Sequence, residues 1–359
     1  MGKFLCIFVA ALIFLAGCAG HRPDTRGPEK IKIFDARWAD VEDREARVVA
    51  AISPDSMLIE DHHRYDFKSP SKFMVCDLDG AILLEFDRPG VSYWEAVSPD
   101  GRTLIGEDPD GYWRADLQTG ETTTFDLEDD TDFGGMLAFC GNNILLQACN
   151  EPSIQTGPEV VLDAYDLSTG KRIWTTQFGT TRFQALAAFS DGRKCIVVTE
   201  TTASIFDAAN GTLLYQHNLP VFARCVAVSP DGRQYAVGGG EARSAGASGG
   251  PIYSPDKREY AVVCIAAQPD YREEGRLEGH TAAVFQLAYL TDGQMVSSGD
   301  DKTLRIWDVK NGKTIWQAEG LGLDFPQDYS GIPFTVYPNH WLAIESRLPS
   351  NIFVRKLPQ

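Results

Sequence analysis

The sequence lacks a hydrophobic run that would cross a bilayer and lacks the positive charge that would hold it to nucleic acid. The apolar stretch from Phe4 to Ala16 is about 13 residues long, short of the roughly 20 that a spanning helix needs. Lys and Arg number 33 against 50 Asp and Glu, a formal net charge of −17. A duplex-binding protein neutralises phosphates with Lys and Arg, so this balance argues against nucleic acid and against an anionic membrane surface. It reads most simply as solubility. Motifs that carry chemistry are also scarce. There is no His-Glu-x-x-His, no glycine-rich phosphate loop and no EF-hand spacing, and no Cys-x-x-Cys or His at metal-ligand spacing.

A short leader is present. Met1-Gly2-Lys3 and the apolar run lead into Gly17-Cys18-Ala19-Gly20, the order of n-region, h-region and small-residue cleavage site in a signal peptide. The tail Leu15-Ala16-Gly17-Cys18 resembles the lipobox of bacterial lipoproteins. That resemblance implies cleavage after residue 17 and lipid attachment at Cys18, whose several acyl chains would hold the protein to a membrane face. An ordinary secretory signal with a chance Cys is the alternative. Ala19 rather than Asp follows the Cys, which in enterobacterial lipoproteins goes with outer-membrane sorting. The expected organisation is a leader over 1–17, a lipidated Cys and polar tether over 18–30, and one folded domain over 31–359.

Cys6 leaves with the leader. Cys76, Cys140, Cys149, Cys195, Cys225 and Cys264 remain, several in apolar runs such as Cys195-Ile196-Val197-Val198 where a Cys behaves as a small buried hydrophobe. An oxidising compartment permits a disulfide, and the sequence leaves its pairing open.

Self-similarity decides the fold. One turn recurs as Ser53-Pro54-Asp55, Ser98-Pro99-Asp100-Gly101, Ser190-Asp191-Gly192, Ser229-Pro230-Asp231-Gly232 and Thr291-Asp292-Gly293. A second recurs out of phase, starting at Asp77, Asp116, Asp166, Asp207 and Asp308 and ending at Gly80, Gly120, Gly170, Gly211 and Gly312. Each joins two short apolar runs, as hairpins do. Two hairpins per period of about 40 residues make a four-stranded propeller blade. The expectation is therefore all-β: a single β-propeller of seven four-stranded blades, closed by pairing of N- and C-terminal strands. Six blades are expected near 46–86, 90–127, 133–178, 183–219, 222–277 and 283–320, and a seventh split between Ile31–Phe34 and the run from Trp341 to Val354. The third looks degenerate, and six or eight blades stay open.

From Leu277-Glu278-Gly279-His280 to Ile306-Trp307-Asp308 the chain resembles one nearly complete WD40 repeat. The resemblance implies that His280, Ser297, Asp301 and Trp307 form a hydrogen-bonded network inside the blade, a structural role. No other blade has Gly-His or Trp-Asp, so their third strands should be apolar or differently bonded. Ala164 to Trp174 is similar to the repeat of quinoprotein-like propellers, and Asp308 to Trp316 in part. That resemblance implies that Trp174 and Trp316 dock between blades. Propellers of these kinds include quinone-dependent dehydrogenases, a scaffold lipoprotein of outer-membrane β-barrel assembly and the periplasmic Tol propeller.

Four other stretches qualify as candidate sites, each with a blander reading. Asp61-His62-His63 with Asp66 offers metal donors, but neighbouring strand residues point to opposite faces. The acidic run Asp126 to Asp132 offers calcium oxygens yet reads better as a solvated loop. Gly238 to Lys257 is a Gly/Ser-rich insertion, either a loop closing over a ligand or tolerated disorder, the latter preferred. Phe325 to Trp341, rich in aromatics, is core packing or a partner patch. The expected function is a non-catalytic scaffold for protein partners of a bacterial envelope, with no cofactor and no metal. A quinoprotein-like or hydrolase-type propeller binding a small molecule in its central cavity is the alternative.

Overall fold

The computed structural model describes residues 32–35, 44–63, 70–88, 94–108, 111–128, 135–153, 157–178, 182–240, 242–244, 251–253, 260–267, 271–290, 293–319, 334–337, 341–347 and 350–356. Cys18 and the leader lie outside them, as do Asp66 and 129–132.

The two recurrent turns hold themselves with their own side chains. Ser98 Oγ donates to Asp100 Oδ1 at 2.6 Å and accepts from the Thr103 N–H at 2.9 Å. Ser229 repeats this with Asp231 and the Gln234 N–H, at 2.7 and 3.0 Å. In the second turn Asp116, Asp166 and Asp207 each accept from the N–H two residues on, at 2.7, 2.8 and 2.9 Å, the geometry that lets Asp imitate a backbone turn. Hydrogen bonds from Ser98, from the Gln118 N–H and from Ser168 draw the carboxyls of Asp100, Asp116 and Asp166 below the usual range.

The turns set the strands. The first described strand is β1 (Lys32–Asp35). The first blade is β2 to β5 (Arg44–Ser53, Ser56–His63, Ser71–Asp77, Ile82–Arg88) and the second β6 to β9 (Trp94–Val97, Thr103–Asp108, Gly111–Asp116, Thr122–Phe125). The third is β10 to β13 (Met136–Cys140, Ile144–Ser153, Gly157–Asp166, Lys171–Phe178) and the fourth β14 to β17 (Phe183–Ala188, Lys194–Thr199, Thr202–Asp207, Leu213–Asn218). In the fifth, β18 and β19 (Ala223–Val228, Gln234–Gly239) pair on to β22 and β23 (Val262–Ala266, Glu273–Leu277), and β20 and β21 (Ala242–Ser244, Pro251–Tyr253) form a separate hairpin between them. The sixth is β24 to β27 (Val284–Tyr289, Gln294–Gly299, Thr303–Asp308, Lys313–Glu319).

Among the described residues six blades, not seven, are built from strands in chain order, the fifth interrupted by the β20–β21 hairpin. The last run supplies only β28 to β30 (Phe334–Tyr337, Trp341–Arg347, Ser350–Lys356), and its fourth strand is β1, with Lys32 opposite Val354 and Asp35 opposite Asn351. Two expectations are corrected. The third blade is not degenerate: β11 and β12 are 10 residues each and pair along their whole length. Disorder is not the description of the whole Gly/Ser-rich insertion, because Ala242 to Ser244 pairs with Pro251 to Tyr253.

Within each blade the two turns are tied together. Leu78, Leu117, Leu167, Ala208, Ala267 and Val309 each donate a backbone N–H to a carbonyl of the first turn of the same blade, at 2.7 to 3.1 Å. First strands touch first strands from blade to blade, as in β14 with β18 and β18 with β24, so they line the axis and the fourth strands form the rim. One apolar cluster per neighbouring pair fills the gaps: Leu58, Phe73 and Val75 of the first blade meet Leu104, Trp113 and Ala115 of the second.

At the rim, Trp174 Nε1 donates to Ala208 O of the next blade at 2.9 Å, and the ring lies against Gly211, whose φ is +71°. A Cβ at Gly211 would stand 2.7 Å from Trp174 Cε3. Gly211→Ala should therefore cost about 2 kcal/mol or more, left-handed strain plus loss of the dock, by urea unfolding. Gly141→Ala, at φ +66° with open space around its Cβ, should show the strain alone, about 1 kcal/mol. Equal losses at both positions would refute the dock's contribution.

Candidate functional site

The residues singled out by the WD40 resemblance meet inside the sixth blade. His280 precedes β24, Ser297 lies on β25, Asp301 in the next turn and Trp307 on β26. His280 Nδ1 stands 3.0 Å from Asp301 Oδ2, His280 Nε2 is 2.7 Å from Ser297 Oγ, and Trp307 Nε1 donates to that same oxygen at 2.7 Å. Only one proton arrangement satisfies every group. The indole gives to Ser297, the Ser297 hydroxyl gives to Nε2, and Nδ1–H gives to Asp301. Asp301 also accepts from the Thr281 N–H at 2.9 Å and from Thr303 Oγ1 at 2.8 Å. Burial alone would raise its carboxyl, but the bonds from His280, Thr281 and Thr303 outweigh that and bring it down to about 2.

Ser297, His280 and Asp301 thus stand in the order of a hydrolase relay, yet the chemistry is closed to them. Ser297 and His280 are 0% exposed, and the lone pair a nucleophile would use takes the Trp307 N–H. The arrangement satisfies buried polar groups that would be costly alone. The sequence did not point to two further members. Thr303 bridges Asp301 and Arg305, and Arg305 Cζ lies 5.7 Å from the centre of the Trp307 ring. Only their alternation with Trp307 along β26 could have suggested it.

Trp316, the partial counterpart of Trp174, packs against Leu290, Val296, Leu304, Ile306 and Phe334. Phe334, the described start of β28, is core. The other blades fill the Trp307 position with Cys76, Ala115, Tyr165, Phe206 and Ile265, each at most 2% exposed. All six described Cys are free thiols, and burial pushes Cys76 up to about 11 and Cys140, Cys225 and Cys264 up to about 12, where they are inert at neutral pH.

No group of three His, Cys, Asp or Glu among the described residues could hold a metal. Asp61 is buried at 2% exposure; the side chains of His62 and His63 lie outside the description. Gly246-Ala247-Ser248-Gly249-Gly250 has the spacing of a nucleophile turn. It lies outside the described residues. A cavity of about 810 Å³ opens among the first turns of blades four to six, lined by Asp191, Lys194, Asp231, Arg233 and Gln234 among others. Several of its polar groups are engaged within the protein: Asp191 and Asp231 hold backbone N–H groups, and Gln234 bonds Tyr289 and Glu274. A second unforeseen cluster joins blades one and two, where Arg47 donates to Glu60 and Glu95 at 2.6 and 2.5 Å.

These features define a β-propeller of four-stranded antiparallel blades whose polar core is structural. The family model WD domain, G-beta repeat, matches residues 271–308, so the propeller is WD40-like. The match starts beside β23 and ends with β26, straddling two blades. A search of the curated proteins finds none that matches.

Two expectations follow. His280→Ala leaves Asp301 and Ser297 buried without their partner and should lower unfolding free energy by about 3 kcal/mol, read by urea titration. Because the Asp301 carboxyl is held below its unfolded value, its contribution is complete above about pH 4 and lost as pH falls towards 2. Stability measured from pH 5 to 2 should fall less steeply in Asp301→Asn than in the wild type; parallel slopes would contradict the network.

Proposed function

We propose that this chain is a lipid-anchored, extracytoplasmic scaffold: a non-catalytic WD40-like propeller that displays its loops to protein partners in a bacterial cell envelope. The observation that carries this reading is the match to a WD40 repeat in a propeller whose Ser297, His280 and Asp301 constellation is sealed inside a blade. Such propellers usually bind proteins, and a rigid disc suits that role. The composite sheet supports a ring of seven blades, the seventh closed by β1 against β30. The lipobox-like Leu15-Ala16-Gly17-Cys18 supports a signal over 1–17, lipid on Cys18 and a tether to residue 30, and Ala19 supports the periplasmic face of the outer membrane.

Cells expressing the wild type should incorporate labelled palmitate into the protein and retain it in the membrane fraction. Cys18→Ser should abolish both. Membrane retention of Cys18→Ser would overturn the anchor. In-cell crosslinking should then trap discrete complexes with envelope proteins, and a purified protein that carries a quinone absorbance and crosslinks to nothing would overturn the scaffold in favour of a cofactor-binding propeller.

A further inference from the structure

The inner strands β14, β18 and β24 share an irregularity. Each skips its second residue in pairing: Gln184 between Phe183 and Ala185, Arg224 between Ala223 and Cys225, and Phe285 between Val284 and Gln286. A bulged residue leaves the ladder and its side chain is re-aimed. Three neighbouring blades therefore turn out the same position at one end of the axis, on the face where the connection from β19 departs. Two of these side chains meet. Arg224 Cζ lies 5.3 Å from the centre of the Phe285 ring and 5.5 Å from that of Phe222, within cation–π range.

The backbone holds the guanidinium in place. Arg224 Nε donates to Gly240 O at 3.2 Å, and the Gly240 N–H is in turn bonded to Phe222 O at 2.7 Å. Gly239 backs so closely on this segment that a Cβ there would stand 1.9 Å from Phe222 O. One of the five N–H donors of Arg224 is thereby used. Among the described residues no carboxylate pairs with it, in a protein whose net charge is −17.

We propose that Arg224, flanked by Phe222 and Phe285, is a carboxylate-binding site that takes an Asp or Glu side chain from an acidic segment of a protein partner. The proposal rests on the scaffold reading for its partner and on the geometry for its chemistry. The two Nη groups form a fork that matches the two oxygens of a carboxylate. A single cation balances a monoanion, whereas a phosphate monoester of about −1.5 to −2 would keep surplus charge in an already acidic protein. The two rings, each within cation–π range of the guanidinium, add apolar surroundings beside the fork.

The test titrates the full-length protein in detergent micelles with a fluorescein-labelled peptide carrying two Glu, and with its Gln counterpart, by anisotropy. The Glu peptide should bind at least tenfold more tightly than the Gln peptide. Arg224→Gln should weaken it at least tenfold, Arg224→Lys less, because charge survives and the fork does not, and Phe285→Ala several-fold. An unchanged melting temperature in Arg224→Lys separates binding from folding. Absence of binding to the wild type, or equal binding to Arg224→Gln, overturns the site. Acetate displacing the peptide at the peptide's own affinity would make it a small-carboxylate site and overturn the partner half. The two readings fail separately. Envelope crosslinks that persist unchanged in Arg224→Gln sink the site and leave the scaffold. Peptide binding through Arg224 with no crosslinked protein sinks the scaffold and leaves the site.

Discussion

A sheet that is apolar on both faces cannot rest with either face in water, and the architecture of this protein is the answer to that constraint. In β22 all five residues from Val262 to Ala266 are buried, and in β26 the run from Thr303 to Trp307 is buried on both faces. At the rim burial alternates between half-buried and exposed, as along β13. Each sheet must then be covered twice, and a neighbour of the same kind does it at about 10 Å spacing. The apolar clusters lie between blades for this reason: Ile196, Val198 and Ile205 of the fourth interdigitate with Tyr235, Val237 and Val263 of the fifth.

The same constraint explains why the repeats look so unequal. The position of Trp307 must be filled, but it need not be filled by a polar side chain. Cys76, Ala115 and Phe206 occupy it without asking for a partner, and Cys195 and Val197 surround Phe206 with further apolar atoms. In the sixth blade the Trp307 N–H takes Ser297 as its acceptor, Ser297 places its own proton on His280, and His280 is held by Asp301. A repeat recognisable by its polar residues survives in one blade, while the packing that makes a propeller survives in all.

The turns were legible because their chemistry is local. Ser, Asp and Gly at fixed offsets supply the acceptor, donor and left-handed residue a hairpin needs, and the blade limits follow from them. The composite sheet was legible because a three-strand run at one end and a spare strand at the other leave open edges that must pair. What the sequence withheld is what depends on register and on contacts far apart in the chain. Nothing near Arg47 announces that Glu95, 48 residues on, will share it with Glu60. Arg305 and Thr303 read as ordinary strand residues until Trp307 is seen beside them. The hairpin of β20 and β21 was masked by its Gly and Ser, which weaken β propensity without forbidding pairing.

Carboxylates and the Arg224 guanidinium lie on opposite faces of the propeller. On the face of the hairpin turns, the carboxylates of Asp100, Asp116, Asp166 and Asp231 are occupied by their own backbone, so their charge repels without recognising. On the other face the repeat is broken by bulges and by Gly238 to Gly240, and there the inner strand presents a guanidinium between two rings. Regular repeats spend their polar groups on being regular. Recognition has to come from residues the repeat does not need, and Arg224, out of the ladder and out of the turns, meets that condition while the polar residues of the sixth blade do not.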